Sequence, residues 1–246
     1  LIKNADAAMY VVKEKGRNGS LLYQKEMTDK VSQKVNTQNQ LKVAIEEDQF
    51  EMYYQAVVDL KINKIVGAEA LVRWNHPQKG VLAPASFLVY VDDSSMTLDF
   101  GKLIIKKVLS DVHIINSNTQ NQNFVISINI SPKHFFEEKF VDYMVETCRD
   151  FCVNPSQIEI ELLETSIMSN HTIAQNKFDI LKTAGFNIAI DDFGTGYSSL
   201  SYLKNFKVDK LKIDQSFVMD FLSDNNDKSI VEAIIKLANT FEMSVQ

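Results

Sequence analysis

From residue 50 onward, short strand-like runs alternate with stretches of helical spacing. The runs are "FEMYYQAVVDL", "KIVGAEALVRW", "NFVISINI", "QIEIELLET", "FNIAIDDF" and "KVDKLKID", and the helical stretches lie near 97–116, 133–151, 171–184 and 227–241. Parallel strands need a crossover between them, and a helix is the usual one. The alternation therefore predicts a parallel sheet, either open or closed into a (β/α) barrel. Only the first two runs are joined by a short polar turn, "KINK". They are expected to form an antiparallel hairpin.

Period-two alternation divides each run into two faces. In "GAEALVRW", Glu69, Leu71 and Arg73 oppose Ala68, Ala70, Val72 and Trp74. In "VISINI", Ile126, Ile128 and Ile130 leave Asn129 on the other side. In "IEIELLE", Ile158, Ile160 and Leu162 oppose Glu159 and Glu161, and in "KVDKLKID", Leu211 and Ile213 oppose Lys210, Lys212 and Asp214. One face is apolar and suits covering helices; the other carries an acid, an amide or a lysine. A half-exposed antiparallel sheet would also show this pattern, but it would not need the intervening helices. In a barrel the polar face points inward, and active sites sit at the C-terminal ends of the strands. Glu69, Asn129, Glu161, Asp191 and Asp192 are all expected late in their strands.

The stretch "NIAIDDFGTGYSSL", residues 187–200, ends an apolar run on two adjacent carboxylates and a glycine-rich loop. Desolvating both costs several kcal/mol each unless a cation or strong donors compensate. Four carboxylates and one amide, with no His or Cys, form an oxygen-only ligand set. Such a set selects Mg2+, Mn2+ or Ca2+ over zinc or copper. Two such ions about 3.5–4 Å apart are the usual arrangement for phosphoester hydrolysis. Lys212 is placed to orient a nucleophile or offset developing charge, and Arg73 to clamp a phosphate.

Composition limits the alternatives. The chain has 246 residues, 45% hydrophobic and 24% charged, enough for one large α/β domain or two small ones. A net charge of −6 argues against a DNA or RNA duplex as partner. Cys148 and Cys152 have no second Cys/His pair nearby and read as two half-buried thiols in a reducing compartment. His76 reads as structural and His113, His134 and His171 as helical, while Phe135, Phe136, Phe140 and Tyr143 read as core. No apolar run approaches about 18 residues, and the opening has no signal-peptide core. A cytoplasmic location is expected, with a membrane anchor upstream in a longer protein left open. The chain starts without Met in mid-helix, as a fragment would.

The ordered motifs "YYQ", "EALVRW.HP..G", "P..F", "SINIS", "ELLET", "DDFGTGYSSL" and "KLKID" carry a resemblance. From about residue 36 to its end the chain resembles the EAL family of cyclic di-GMP phosphodiesterases. The opening "ADAAMYVVKEKGRN" resembles the last helix of a GGDEF domain. The expected division is a GGDEF-like remnant at 1–26, a linker helix at 27–35 and the EAL domain at 36–246. The resemblance implies a modified (β/α)8 barrel with an antiparallel first strand. It also implies hydrolysis of cyclic di-GMP to linear pGpG with two Mg2+ or Mn2+ ions, Ca2+ being inhibitory.

By matching position, Glu69, Asn129, Glu161 and Asp191 are implied ligands of a first ion, and Asp191 and Asp192 of a second. Lys212 matches the lysine beside the attacking water. Gln55, Leu71 and Arg73 match substrate contacts, and Asp214 is a further candidate contact to Lys212 or the ligand. Glu164 matches the acid that holds the "DDFGTGYSSL" loop, which the family ties to homodimer formation. The alternative is a cyclic di-GMP receptor or dimerising scaffold that does not cleave. Ala56, Leu163, Thr165 and Asp92 depart from the family pattern. The chain stops at "FEMSVQ", where the family continues into "AEGVE" with another metal ligand. The barrel is therefore expected to lack its last strands, and the fragment itself to be inactive.

Overall fold

The computed structural model describes residues 2–14, 18–92, 94–118, 124–196 and 203–246. Its strands are β1 (Phe50–Asp59), β2 (Lys64–His76), β3 (Gly80–Leu82), β4 (Val125–Asn129), β5 (Ile158–Leu163), β6 (Asn187–Phe193), β7 (Lys210–Ile213) and β8 (Ser244–Val245). One sheet runs in the order β1-β2-β4-β5-β6-β7-β8, with β3 paired to β2 off this path. From β2 to β8 the successive pairs on the path are parallel. Spatial order thus follows sequence order, which is the winding of a modified (β/α) barrel; a doubly wound sheet would reverse. Among the described residues no β8–β1 pairing closes the ladder.

By contact density the chain forms two units, Leu1–Phe50 with Arg73–Met96, and Glu51–Val72 with Thr97–Gln246. In the first, helix Ile2–Glu14 packs Ala8 and Val11 against Met27 and Val31 of helix Lys25–Glu46. That second helix runs without a break through positions 26 and 36, where sequence boundaries were expected. Phe50, Trp74 and Phe87 form an aromatic cluster with centroids 5.7–5.9 Å apart. The buried indole donates to Gln49 Oε1 at 3.0 Å, so its one polar atom is satisfied.

In the second unit, the alternation seen in the runs becomes burial. Ala68, Ala70, Ile126, Ile128, Ile158, Ile160, Leu162 and Leu211 are all buried, as expected of a face covered by helices. Helix Thr97–Asn118 contributes Ile105 and Leu109, and helix His171–Ala184 contributes Phe178 and Leu181. The latter helix ends at Gly185, whose φ of 98° is the left-handed conformation that closes a helix C-terminus.

The helix expected near 133–151 is two helices, Pro132–Phe135 and Phe140–Asp150. Ser131 caps the first, and Pro132 follows at its first helical position. Between the two, the buried Lys177 donates to the Glu137 carbonyl at 2.7 Å. A side chain 40 residues away thus satisfies a backbone oxygen at the break. No local pattern signals it. Cys148 is buried within the second of these helices, and Cys152, just past it, is exposed; both are free thiols.

Candidate active site

Lys212 on β7 is the hub of the inward-facing charges. Its Nζ donates to Glu161 Oε2 at 2.7 Å and to Glu69 Oε2 and Asp191 Oδ2 at 3.1 Å each. Five strands contribute, because Asn129 Nδ2 on β4 also donates to Glu69 Oε1 at 2.8 Å. Parallel pairing sets Asn129 in register with Glu161, and Asp191 with Leu163, two residues further along β5. Glu69 departs from the expected position. It lies mid-strand, because β2 continues to His76 and pairs there with β3.

The two adjacent aspartates owe their arrangement to a bulge. Ile190 pairs with Leu211 and Phe193 with Ile213, so Asp191 and Asp192 together face Lys212 alone. In a regular strand, neighbouring side chains point to opposite faces; an inserted residue re-aims one of them. Asp192 takes a φ of 52°, and its backbone N–H donates to Asp191 Oδ1 at 3.0 Å. Burial, then the charges of Asp191 and Asp214, hold its carboxyl above the ordinary aspartate range.

Glu164 is buried, and its Oε2 accepts from the Gly194 backbone N–H at 2.8 Å. Gly194 has φ 103°, and a Cβ on Gly196 would stand 2.8 Å from Glu164 Oε1. Both glycines let the chain turn closely over this carboxylate. Residues 197–200 of the "DDFGTGYSSL" loop lie outside the described residues.

Asp214 directly follows β7. It caps helix Gln215–Met219, accepting from Ser216 N at 2.8 Å and from the Ser216 hydroxyl. The hydroxyl, then the backbone N–H, hold it below the ordinary range, and its remaining side-chain contact is with Asp192. Gln55 is exposed on β1, Leu71 is half-buried on β2, and Arg73 belongs to the first unit. A second inward pair was not singled out in the sequence. Lys210 Nζ lies 2.7 Å from Glu159 Oε1, which also accepts from Ser127 Oγ at 2.6 Å. The alternation had set Glu159 and Lys210 on this face; their pairing needed the strand register.

The electrostatics favour a further cation. Burial, only partly offset by Lys212 and reinforced by Glu69 and Asp191, pushes the Glu161 carboxyl up to about 7. Burial pulls the Lys212 ammonium down, but Glu161, Asp191 and Glu69 outweigh it and keep it above the ordinary lysine value. Three carboxylates around one ammonium leave a formal excess of two negative charges. Glu161 Oε1 is buried with no hydrogen-bond partner. An unpaired buried carboxylate oxygen among anions fits a hard divalent cation. Among the described residues no three His, Cys, Asp or Glu side chains stand grouped for an ion, and Lys212 bonds all three of these carboxylates.

A profile of the EAL domain matches residues 38–246. The bifunctional diguanylate cyclase/cyclic di-GMP phosphodiesterase MucR of Pseudomonas aeruginosa is 31% identical over the whole chain, which spans 36% of MucR. The cyclic di-GMP phosphodiesterase PdeR of Escherichia coli K12 is 30% identical over the whole chain, which spans 37% of PdeR. The chain thus spans about a third of the length of these curated relatives. Among solved structures, the PaMucR phosphodiesterase in its c-di-GMP complex aligns with TM-score 0.82 and 30% identity, covering 85% of each chain. The EAL enzyme Bd1971, with cAMP and cyclic di-GMP bound, aligns with TM-score 0.83 and 35% identity over 88% of this chain and 59% of that one. On the profile match, the strand order and the carboxylate cluster together, the chain belongs to the EAL domain family.

Proposed function

We propose that this EAL domain hydrolyses cyclic di-GMP to linear pGpG with divalent cations. The observation that carries the reading is the buried, partnerless Glu161 Oε1 within a cluster of excess negative charge. Relatives named as cyclic di-GMP phosphodiesterases, aligned along the whole chain, support the substrate.

Glu69, Asn129, Glu161 and Asp191 would hold one Mg2+ or Mn2+ ion, and Asp191 with Asp192 a second. Bound there, the ions would supply activation of water and neutralisation of phosphoryl oxygens. The chain's own groups do the rest. Lys212 carries a fixed positive charge at the inward face and shifts from pairing carboxylates to steadying the nucleophile and the charge that develops on phosphorus-bound oxygens. Arg73 would hold a phosphate, and Gln55 and Leu71 would be further substrate contacts. Glu164 keeps the Asp191–Asp192 segment in place through Gly194. Ca2+ fills oxygen sites with looser geometry and is inhibitory in this scheme.

Residues 1–26 are read as the end of a GGDEF-like domain and 27–35 as its linker, in keeping with the alignment of bifunctional MucR through this region. A homodimer through the EAL domain completes the proposal. No helix among the described residues is long and apolar enough to cross a membrane.

The test is turnover of cyclic di-GMP by the complete EAL-domain protein in Mg2+ or Mn2+, for wild type and Glu69→Ala. Formation of pGpG by wild type and its loss in the variant is expected. Equal turnover by both sinks the assignment.

A further inference from the structure

Below the carboxylate cluster the same face carries a second charged storey: Ser127 on β4, Glu159 on β5 and Lys210 on β7. Glu159 is 3% exposed, and Lys210 Nζ reaches its Oε1 at 2.7 Å. The storey above repeats this geometry, with Lys212 Nζ 2.7 Å from Glu161 Oε2. In both, a lysine of β7 crosses β6 to meet a glutamate of β5. At about 4.8 Å per strand, the β5 and β7 backbones lie about 9.6 Å apart, which the two long side chains must span together. Ala189 of β6 is in register with Glu161 on one side and Lys210 on the other, and it is wholly buried. A methyl there leaves room for both crossings.

On the β8 side, the Gln246 backbone accepts from the Ile213 N–H at 2.8 Å and donates to the Leu211 carbonyl at 3.0 Å; on the β6 side, the ladder does not place Lys212 by itself. Regular β6–β7 pairing covers Ala189–Lys210 and Ile190–Leu211, then breaks at the bulge and resumes only at Phe193–Ile213. Lys212 therefore sits opposite the irregular segment, where a slip of the strand is least resisted. The side-chain tie to β5 that precedes the break is Lys210, held by Glu159, which Ser127 Oγ fixes from β4 at 2.6 Å. Lys210 Nζ has a second acceptor, Gln246 Oε1, at 3.2 Å.

We infer that the Glu159–Lys210 pair, braced by Ser127, is a positioning device that sets β7 against β5 and so aims Lys212 at the reaction centre. What Lys212 does there rests on the phosphodiesterase reading; how it is held does not. Neither Glu159 nor Lys210 touches the reacting atoms in this scheme.

The experiment follows the 15N-labelled Lys212 ammonium by NMR, together with kcat and KM for cyclic di-GMP, in Glu159→Gln, Lys210→Met and Lys210→Arg. Glu159→Gln and Lys210→Met are expected to move the Lys212 signal and to lower kcat about ten- to a hundred-fold, with KM within about two-fold, as a small misplacement of a reacting group does. Lys210→Arg, which keeps the charge, restores most of the rate. Should a single variant not fold, the apolar pair Glu159→Met with Lys210→Met removes both charges together and carries the same readouts. In an active protein, unchanged kcat in a folded variant overturns the inference, even if its melting temperature falls. If wild type does not turn over cyclic di-GMP, the phosphodiesterase reading fails and the Lys212 signal decides alone: moved, the positioning role stands; unmoved, it is wrong.

Discussion

Lys212 Nζ lies 2.7 Å from Glu161 Oε2, while Oε1 of the same carboxylate is buried without a partner. One oxygen is answered by the protein and the other is not. A buried carboxylate that spends half its acceptors is costly to keep unless something else completes it. The ammonium is thus the cluster's counter-charge, and in the proposed phosphodiesterase reading it would become a free donor once cations shared that task.

Lys212→Ala is expected to lower turnover by at least about a hundred-fold, in the range of removing a preorganised transition-state donor. Affinity for cyclic di-GMP measured in Ca2+ should change much less, because the ammonium acts chiefly on charge that develops during reaction. Calorimetric binding beside a turnover assay checks both. A variant that loses binding yet keeps its rate at saturating substrate would make Lys212 a ground-state phosphate contact.

Glu164→Ala removes the acceptor of the Gly194 N–H. Leaving that partly buried donor without its partner should cost about 1–3 kcal/mol. The local consequence is faster hydrogen exchange at the Gly194 amide, measurable by NMR, with the β4–β5 ladder amides unchanged.

Gly101 lies inside helix Thr97–Asn118, where replacing glycine by alanine ordinarily stabilises by about 1 kcal/mol. Here a Cβ would stand 2.3 Å from His134 Nδ1. Gly101→Ala is therefore expected to destabilise, by about 1–3 kcal/mol as overpacked cores do. Thermal unfolding decides the sign.

His134 is 1% exposed, and neither ring nitrogen has a hydrogen-bond partner. Burial first, then the Lys102 charge, against a smaller opposing pull from Glu137, lower its pKa to about 4. Its folded pKa lies below the unfolded one, so the unfolded chain binds the proton more readily. Stability from the neutral ring is complete above about pH 6.5 and is lost as pH falls toward about 4, in total about 3 kcal/mol. Urea unfolding across that window should show a flatter pH dependence for His134→Leu than for wild type. Parallel curves would mean that His134 does not contribute to acid sensitivity.

Much of this molecule is written locally. Period-two alternation separated Ile158, Ile160 and Leu162 from Glu159 and Glu161, and helical spacing marked the 171–184 helix to the residue, because both patterns depend on neighbours along the chain. The oxygen-only composition of the inward face was equally plain, since residue types need no coordinates. Other features depended on partners distant in the chain. The break near residue 137 depends on Lys177, the mid-strand place of Glu69 on the β2–β3 pairing, and the cap made by Asp214 on where β7 ends. Above all, the bulge that turns Asp191 and Asp192 together toward Lys212 exists only between β6 and β7. Adjacent aspartates announce that a charge must be answered; which charge answers, and from which strand, is a matter of register, and register is set by pairing between segments that the sequence keeps apart.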